Sequence, residues 1–249
     1  MSSTETIGPL RRWRRRQEFD PGFFGWMVNP FYFARRGLRE GLRRFFPRLD
    51  GAVLDVGCGG KPYETFLPAT RYVGLEFDSP RSRARGCADV YYDGGRFPFA
   101  DGEFDGVLCS QVFEHVFTPA EFLAEIHRVL RPGGCAVLTV PFAWDEHEQP
   151  HDYARYSSFG LRAALERAGF EIEAVHKSTP DSRALFQLAS AYLYKVTLTR
   201  SRVLNWLAML ALMAPVNLLG LLLGPLLPAN PDLYLDNIVL ARKPGPRPR

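Results

Sequence analysis

Asp55, Gly57, Gly59 and Gly60 close the stretch AVLDVGCGG at residues 52–60, where a β-branched apolar run ends in a carboxylate and then in glycines. Residues of these types in this order suit a buried strand that turns at once into a loop whose backbone can approach a ligand closely. A carboxylate at that strand end can cap the loop amides. Roughly twenty residues on, Glu76 ends a second apolar run, where a carboxylate can accept from both hydroxyls of an unphosphorylated ribose. A third polar cluster, PFAWDEHEQPHDYARYSSFG at residues 141–160, carries His147, His151, Asp152, Arg155 and Tyr156. These are proton-transfer types, with His best matched to neutral pH, and Arg155 and Tyr156 suit an acidic or sugar-like molecule. The same cluster also reads as a surface loop whose HDY turn caps the next helix.

The elements that must position these groups alternate along the chain. Strand candidates are residues 52–56, 71–76, 88–92, 104–110, 135–140, 170–176 and 233–241, with helical patterns in several of the gaps. This predicts an α/β fold, a doubly wound and mostly parallel sheet. One helix start is well marked: Thr118 as N-cap, Pro119 at the first helical position and Glu121 completing a capping box. Phe122, Leu123, Ile126, Val129 and Leu130 follow at helical spacing, and RPGG at 131–134 stops the helix. A second helix is expected over 158–168, ended by Gly169.

With 249 residues, 46% of them hydrophobic and 23% charged, the chain suits one folded domain with appendages rather than a disordered one. Its charge is uneven. Residues 1–48 hold eleven Arg against four acids, a net of +7, so the other 201 residues sum to −3. Attraction to anionic surfaces thus belongs to the N-terminal segment. Residues 1–10 read as disordered, followed by RRWRRR at 11–16 and the basic amphipathic segment 31–46. Phe31, Ala34, Leu38, Leu42 and Phe45 make its apolar set, with Arg35, Arg36, Arg39 and Arg43 elsewhere. Such a helix either lies on anionic lipid or caps the core with a solvated Arg face. Nucleic acid is not expected, because the body offers no companion basic surface. Cys58, Cys87, Cys109 and Cys135 stand far apart without metal-ligand spacing, as small buried hydrophobes of a reducing compartment would. No metal is expected, and the absence of an apolar h-region predicts a cytoplasmic protein.

Taken in order, VLDVGCGG, YVGLEFD, ADVYYDGGRFPFADGEFDGVLCSQVFEHV, the helix ending VLRPGG and CAVLTVPF resemble the class I S-adenosylmethionine (SAM)-dependent methyltransferases, within them the type 11 group. The resemblance covers residues 49–176 and resumes at the last strand. It implies a Rossmann-like seven-stranded sheet, parallel except for its last strand, and SAM as cofactor. It also implies that Gly57, Cys58 and Gly59 present main-chain amides to the amino-acid end of SAM and that Asp55 helps hold its ammonium. Glu76 then takes the ribose. Asp93, with the Gly94 amide alongside, takes the adenine amino group, and Phe97 or Phe99 packs nearby. Ser110 and Gln111 lie by the methionine part. Lys61 stands where the family has a third glycine, and Pro62 is expected to start a short helix there.

On the acceptor side, methyl transfer to a hydroxyl needs a base, for which His147, His151 and Asp152 are candidates. His115 is read chiefly as a structural partner of Glu114. Residues 203–227 are uncharged, yet Pro215 and Asn217 divide them into two pieces of about 18 Å, each too short to cross about 30 Å of hydrocarbon. A helical hairpin is expected instead, dipping into one leaflet or packing over the site, with a small-molecule, lipidic or lipid-linked acceptor. A core or dimer-interface helix pair accounts for the same residues. The domain scheme is a basic extension (1–48), a SAM-binding domain (49–243) with a hydrophobic insertion (181–231), and a disordered tail (244–249). The protein would contact the inner face of the membrane peripherally. Two rivals stand beside this reading: a non-catalytic SAM-fold module that recruits a partner to membrane, and a NAD-dependent oxidoreductase or epimerase. The Asp93 motif and the lack of a Tyr-x-x-x-Lys pair argue against the second.

Overall fold

The structure, a computed structural model, describes Gln17 and residues 20–245. The Arg-rich run 11–16, the expected disorder of residues 1–10 and the last four residues of the tail lie outside the described residues. The described residues cluster into two compact units, one up to residue 39 together with 179–235 and one of residues 40–178 with 236–245.

The second unit holds the sheet. Its strands are β1 (Gly51–Val56), β2 (Ala69–Phe77), β3 (Val90–Tyr92), β4 (Phe104–Ser110), β5 (Leu130–Pro141), β6 (Glu171–Lys177) and β7 (Asp236–Arg242). They lie in the order β3-β2-β1-β4-β5-β7-β6, parallel from β3 to β5, with β7 antiparallel to both its neighbours. This is the mostly parallel, doubly wound sheet expected from the alternation of elements, with the seven-stranded Rossmann-like order and antiparallel last strand that the resemblance implied. On one face, Leu54, Val56, Val107, Cys109, Ala136 and Leu138 join one buried cluster with Phe122, Leu123, Ile126 and Val129 of a covering helix, Pro119–Val129. Burying each such side chain contributes about 1.5–3 kcal/mol before entropy is counted.

Several boundaries differ from expectation for local reasons. Pro119 does open the covering helix, but Thr118 makes no side-chain cap bond, so the capping box does not close. Helical structure ends at Val129, and RPGG belongs to an irregular start of β5. There the pairing jumps from Phe104↔Leu130 to Gly106↔Cys135, and Gly133 has a φ of 82°. β3 is two residues shorter than predicted. Before it, Asp89 donates its amide to the Gly74 carbonyl and accepts the Gly74 amide with its side chain, which replaces a ladder bond.

The basic amphipathic segment forms a helix, Tyr32–Phe45, with Ala34, Leu38, Leu42 and Phe45 buried. Its apolar stripe is therefore a packed surface. In the sheet unit, Gly41 lies so close to Ile238 of β7 and His176 of β6 that a Cβ there would overlap both. In the other unit, the side-chain oxygen of Gln187 accepts the Phe33 and Ala34 amides at 2.9 and 3.1 Å, satisfying donors that a helix start leaves open.

The hydrophobic insertion is a hairpin, but its halves are not the predicted ones. One helix spans Arg183–Thr197. The other runs without interruption from Arg202 to Leu223, as α-helix Arg202–Ala208, a π turn Met209–Met213 and α-helix Ala214–Leu223. The π turn shifts the hydrogen-bond ladder just ahead of Pro215, which sits in the first turn of the following helix, so the proline does not break it. At about 33 Å this is a helix long and apolar enough to cross a membrane. Its C-terminal half is nonetheless held in protein. Asn217 Nδ2 donates to the Trp26 and Asn29 carbonyls at 2.9 and 3.1 Å, and Gly220 sits against Phe33 and Phe186.

Replacing a helical glycine by alanine ordinarily stabilises by about 1 kcal/mol. At Gly41 the sign should invert: Gly41→Ala is expected to lower unfolding free energy by about 1–3 kcal/mol through overpacking. Urea denaturation of the two proteins measures it.

Candidate functional site

β1 and β4 are neighbours whose crossovers leave in opposite directions, so their carboxyl ends face an open crevice, the usual ligand edge of such sheets. The glycine loop lies there. Gly57 turns with a φ of 71°, and a Cβ on it would overlap Val112. The Gly57 and Cys58 amides both donate to the Leu75 carbonyl, at 2.8 and 3.1 Å, and the Gly59 amide donates to Glu76 Oε2 at 2.7 Å. All three amides expected to face a ligand are thus engaged with β2, and a ligand can take only the Gly59 donor by exchange with Glu76. What the loop does offer is space, since a Cβ on Gly60 would meet nothing within 4 Å.

Lys61 also adopts a left-handed conformation (φ 54°), and its Nζ reaches Asp89 Oδ2 at 2.6 Å. The residue at the family's third-glycine position is therefore a latch from the loop to the segment entering β3. Pro62 does not start a helix; it lies in a turn ahead of a single 3-10 turn, Glu64–Phe66. Asp55 is almost wholly buried and accepts the Tyr72 hydroxyl. Burial raises its carboxyl to about 7 despite that bond.

Two further groups line the same edge. Glu76 Oε1 accepts only the Phe77 amide, at a long 3.3 Å, which leaves it open to hydroxyl donors. Asp93 is exposed at the end of β3, its Oδ1 accepting the Gly95 amide at 3.0 Å, beside Gly94 with a φ of 94°. The aromatic ring at this turn is Phe77, 50% exposed, against which Gly94 sits so closely that a Cβ would lie 3.1 Å from it. Phe97 and Phe99 turn inward instead. Phe97 packs edge-on to Tyr92 and Phe122, and Phe99 to Phe104. Position in the strand was the missed signal, since Phe77 follows Glu76 and ends β2.

Ser110 and Gln111 meet at Thr139 of β5. Ser110 Oγ lies 2.9 Å from Thr139 Oγ1, while Gln111 donates its amide to the Thr139 carbonyl at 2.9 Å and its Nε2 to Oγ1 at 3.2 Å. Gln111 holds a φ of 58°, a conformation that costs a non-glycine residue about 1–3 kcal/mol. That turn leads into a 3-10 turn, Phe113–His115. Glu114 is fully buried there, neither carboxyl oxygen accepts a hydrogen bond from another residue, and burial raises its carboxyl to about 8.

The loop after β5 folds over this turn, with the Tyr153 and Ala154 amides donating to the Glu114 carbonyl. It brings His147 against His115, ring centroids 4.8 Å apart, and sets both Nε2 atoms 3.8–3.9 Å from Glu114 Oε1. His151 Nδ1 faces the Tyr153 hydroxyl at 3.0 Å, and its carbonyl accepts from His115 Nδ1. Asp152, expected as a base, is instead in a two-pronged pair with Arg155, at 2.5 and 2.6 Å, which lowers its carboxyl to about 2. Arg155 also donates to the Asp145 and Ala154 carbonyls, so it braces the loop. Tyr156, expected at the acceptor, stacks on buried Phe113. Of the acceptor-side candidates, the loop gathers His147 and His151 near the buried carboxyl and uses Asp152, Arg155 and Tyr156 in its own framework.

Residues 54–138 match the family described as Methyltransferase domain. An uncharacterized methyltransferase of Mycolicibacterium gilvum (strain PYR-GCK) is 44% identical over 97 residues, 35% of this chain and 38% of its own length. A protein of Mycolicibacterium smegmatis (strain ATCC 700084 / mc(2)155), named a probable S-adenosylmethionine-dependent methyltransferase, is 33% identical over 135 residues, 49% of this chain and 52% of its own. The chain thus spans about half, or less, of these relatives. In fold it is similar to the [4+2]-cyclase SpnF, with a TM-score of 0.56 and 22% identity over 86% of this chain and 83% of that one. It is likewise similar to a SAM-dependent methyltransferase from Mesorhizobium loti, with a TM-score of 0.52 and 18% identity over 83% and 97%.

A carboxyl raised in the folded state supports stability most fully below its unfolded value, 3.8 for Asp55, and loses that contribution as pH rises through about 7. Asp55→Asn is therefore expected to flatten the decline of unfolding free energy across this window in urea titrations. An unchanged slope would place the titrating proton elsewhere.

Proposed function

We infer that this chain, which carries the methyltransferase domain over residues 54–138, is a SAM-dependent methyltransferase acting on a small lipidic or lipid-linked acceptor at the cytoplasmic face of a membrane. The observation that carries the cofactor reading is the run of polar groups along one sheet edge: Asp55 in β1, the glycine loop after it, Glu76 near the end of β2 and Asp93 after β3. Their chemistry fits SAM group by group. Asp55, balanced near neutrality, gains charge opposite an ammonium; Glu76 Oε1 is open to ribose hydroxyls; exposed Asp93 can accept from an exocyclic amine while Phe77 covers the ring. An unphosphorylated ribose alone would also suit NAD, but the Asp93 turn and the family match favour SAM.

The bound cofactor supplies an electrophilic methyl on a positively charged sulfur. To an acceptor oxygen held in line, it would supply that methyl with the electron pair of the broken carbon–sulfur bond left on sulfur. The protein's task is alignment and exclusion of water. Ser110 and Gln111, tied to Thr139, keep the end of β4 rigid beside the crevice. The acceptor's proton passes to the group of Glu114, His115 and His147, where His147 is held neutral at pH 7 by burial and keeps a lone pair for it.

The hairpin unit supports the membrane reading. Between its two helices and along the first turns of the second, Leu198, Val203, Leu204, Trp206 and Leu207 are exposed, flanked by Lys195, Arg200 and Arg202. Apolar side chains with Trp and a basic rim suit an anionic leaflet. With the C-terminal half of the long helix packed on Trp26, Asn29 and Phe33, partial insertion fits better than a full crossing.

Calorimetry should detect SAM and its demethylated product but not NAD, with Glu76→Ala and Asp93→Ala each weakening binding by about tenfold or more, the scale of a lost hydrogen bond to a charged group. Absence of SAM binding by folded protein would shift the reading to a non-catalytic module. In a second experiment, Leu204→Asp with Leu207→Asp should abolish co-sedimentation with phosphatidylglycerol vesicles and leave SAM affinity unchanged. Persistent sedimentation would sink the membrane reading.

A further inference from the structure

Three acceptor atoms converge behind the carboxyl end of β4. His115 Nδ1 lies 2.7 Å from the His151 carbonyl, which can only accept, so Nδ1 carries the proton and Nε2 has the lone pair. His147 Nδ1 lies 3.3 Å from the Asp145 carbonyl, Asp152 Oδ2 and Arg155 Nη2; because Nη2 directs its two hydrogens to Asp152 Oδ2 and the Asp145 carbonyl at 2.6 and 2.9 Å, the two acceptors assign the His147 proton to Nδ1 as well. Both Nε2 lone pairs then face Glu114 Oε1, at 3.9 and 3.8 Å, and the three atoms lie within 4.8 Å of one another. The Glu114 carboxyl is fully buried, and no neighbouring residue donates to it. Three such acceptors are reconciled either by a proton on the Glu114 carboxyl or by a cation among them.

We propose that Glu114, His115 and His147 form a binding site for a divalent transition-metal ion of the zinc class, with a fourth position open on the histidine side. The donor set, two imidazoles and one carboxylate, suits such an ion rather than magnesium or calcium. Ligand atoms around a tetrahedral zinc lie roughly 3.3 Å apart, so the two histidine–Glu114 separations need to contract by about half an ångström and the histidine–histidine one by up to about 1.5 Å, within reach of side-chain rotation. Its outer partners are those that metal-bound histidines keep: backbone carbonyls on both Nδ1 atoms and the Asp152 carboxylate behind His147, itself clamped by Arg155. Glu114 is inaccessible, but the histidine side chains are 21% and 28% exposed, so the open position can receive water or a ligand oxygen. With the ion bound, the His147 lone pair is committed to it and no longer takes a proton, so the open position would act in its place by holding the acceptor oxygen; that use rests on the methyltransferase reading, and binding of the ion does not.

The test loads the full chain, stripped with chelator, with Co²⁺ and then Zn²⁺, without SAM or acceptor. The expected result is one tightly bound ion per chain, visible d–d absorption for Co²⁺, and displacement by Zn²⁺. Glu114→Gln and His147→Gln should each weaken binding at least a hundredfold, and Asp152→Asn about 10–100-fold. His151→Ala, which removes an imidazole outside the group, should bind as the native protein does. SAM calorimetry on each variant reports that it is folded. No stoichiometric Co²⁺ binding by the native chain, or equal binding by Glu114→Gln and His147→Gln, overturns the proposal. In either case the SAM titration of the native chain stands or falls separately.

Discussion

Parallel pairing of β1 with β2 on one side and β4 on the other is the constraint from which the functional edge follows. It places the carboxyl ends of three strands side by side and sends their connections apart, leaving a crevice that no backbone fills. Apart from Asp93 and Gly94, which follow β3 beside β2, every group of the cofactor reading sits within a few residues of one of those ends. The glycine loop can turn so tightly because the Leu75 carbonyl accepts two of its amides at once, and because Gly57 has no Cβ to meet Val112. Glu76 then ties the loop to its own strand. Its carboxylate is divided, Oε2 closing the loop through the Gly59 amide and Oε1 held only by the long Phe77 contact.

Electrostatics divide the edge into two regions. Asp93 and Glu76 keep contact with solvent or with amide donors, so they can present charge to a ligand at little desolvation cost. Asp55 and Glu114 are buried, and burial raises both carboxyls into the range where a proton or a ligand's positive charge decides their state. Asp55 has the Tyr72 hydroxyl for company, whereas Glu114 has only two imidazole lone pairs facing it. Such a carboxyl is kept buried by holding its proton, with the Arg155 charge acting against that, or by a cation beside it. This makes the two buried carboxyls the points at which binding and protonation are coupled.

The hairpin unit obeys a different economy. Its long helix is exposed over its first two turns and from Met209 on is packed along one face, through the Met209–Met213 turn, Asn217 and Gly220, while Leu218, Leu219 and Leu222 stay exposed on the other. A 25-residue uncharged stretch reads as one object in hydropathy, yet only one face of its later part is covered. Pro215 illustrates how far local chemistry reaches. As a helix breaker it argued for two short pieces, but one π turn ahead of it accommodates the missing donor, and the helix continues.

Sheet order, the glycine turn and the carboxylates Glu76 and Asp93 were legible in the sequence because each depends on neighbours within a few residues: strand alternation, a left-handed turn, a charged residue closing an apolar run. The helix over residues 158–168 was legible for the same reason, with Gly169 at a φ of 91° just past its end. Tertiary structure decided what depends on partners far along the chain. Phe77 rather than Phe97 faces the Gly94 turn because Phe97 finds Tyr92 and Phe122 in the core. Lys61 replaces a glycine because Asp89, 28 residues away, receives its ammonium. Asp152 is not a base because Arg155 holds it, and Glu114 gains two histidine neighbours only when the loop after β5 folds back. The sequence determined where ligands can approach, since backbone geometry is local; which side chains remain available to them was decided by packing, since availability depends on every distant group that arrives first.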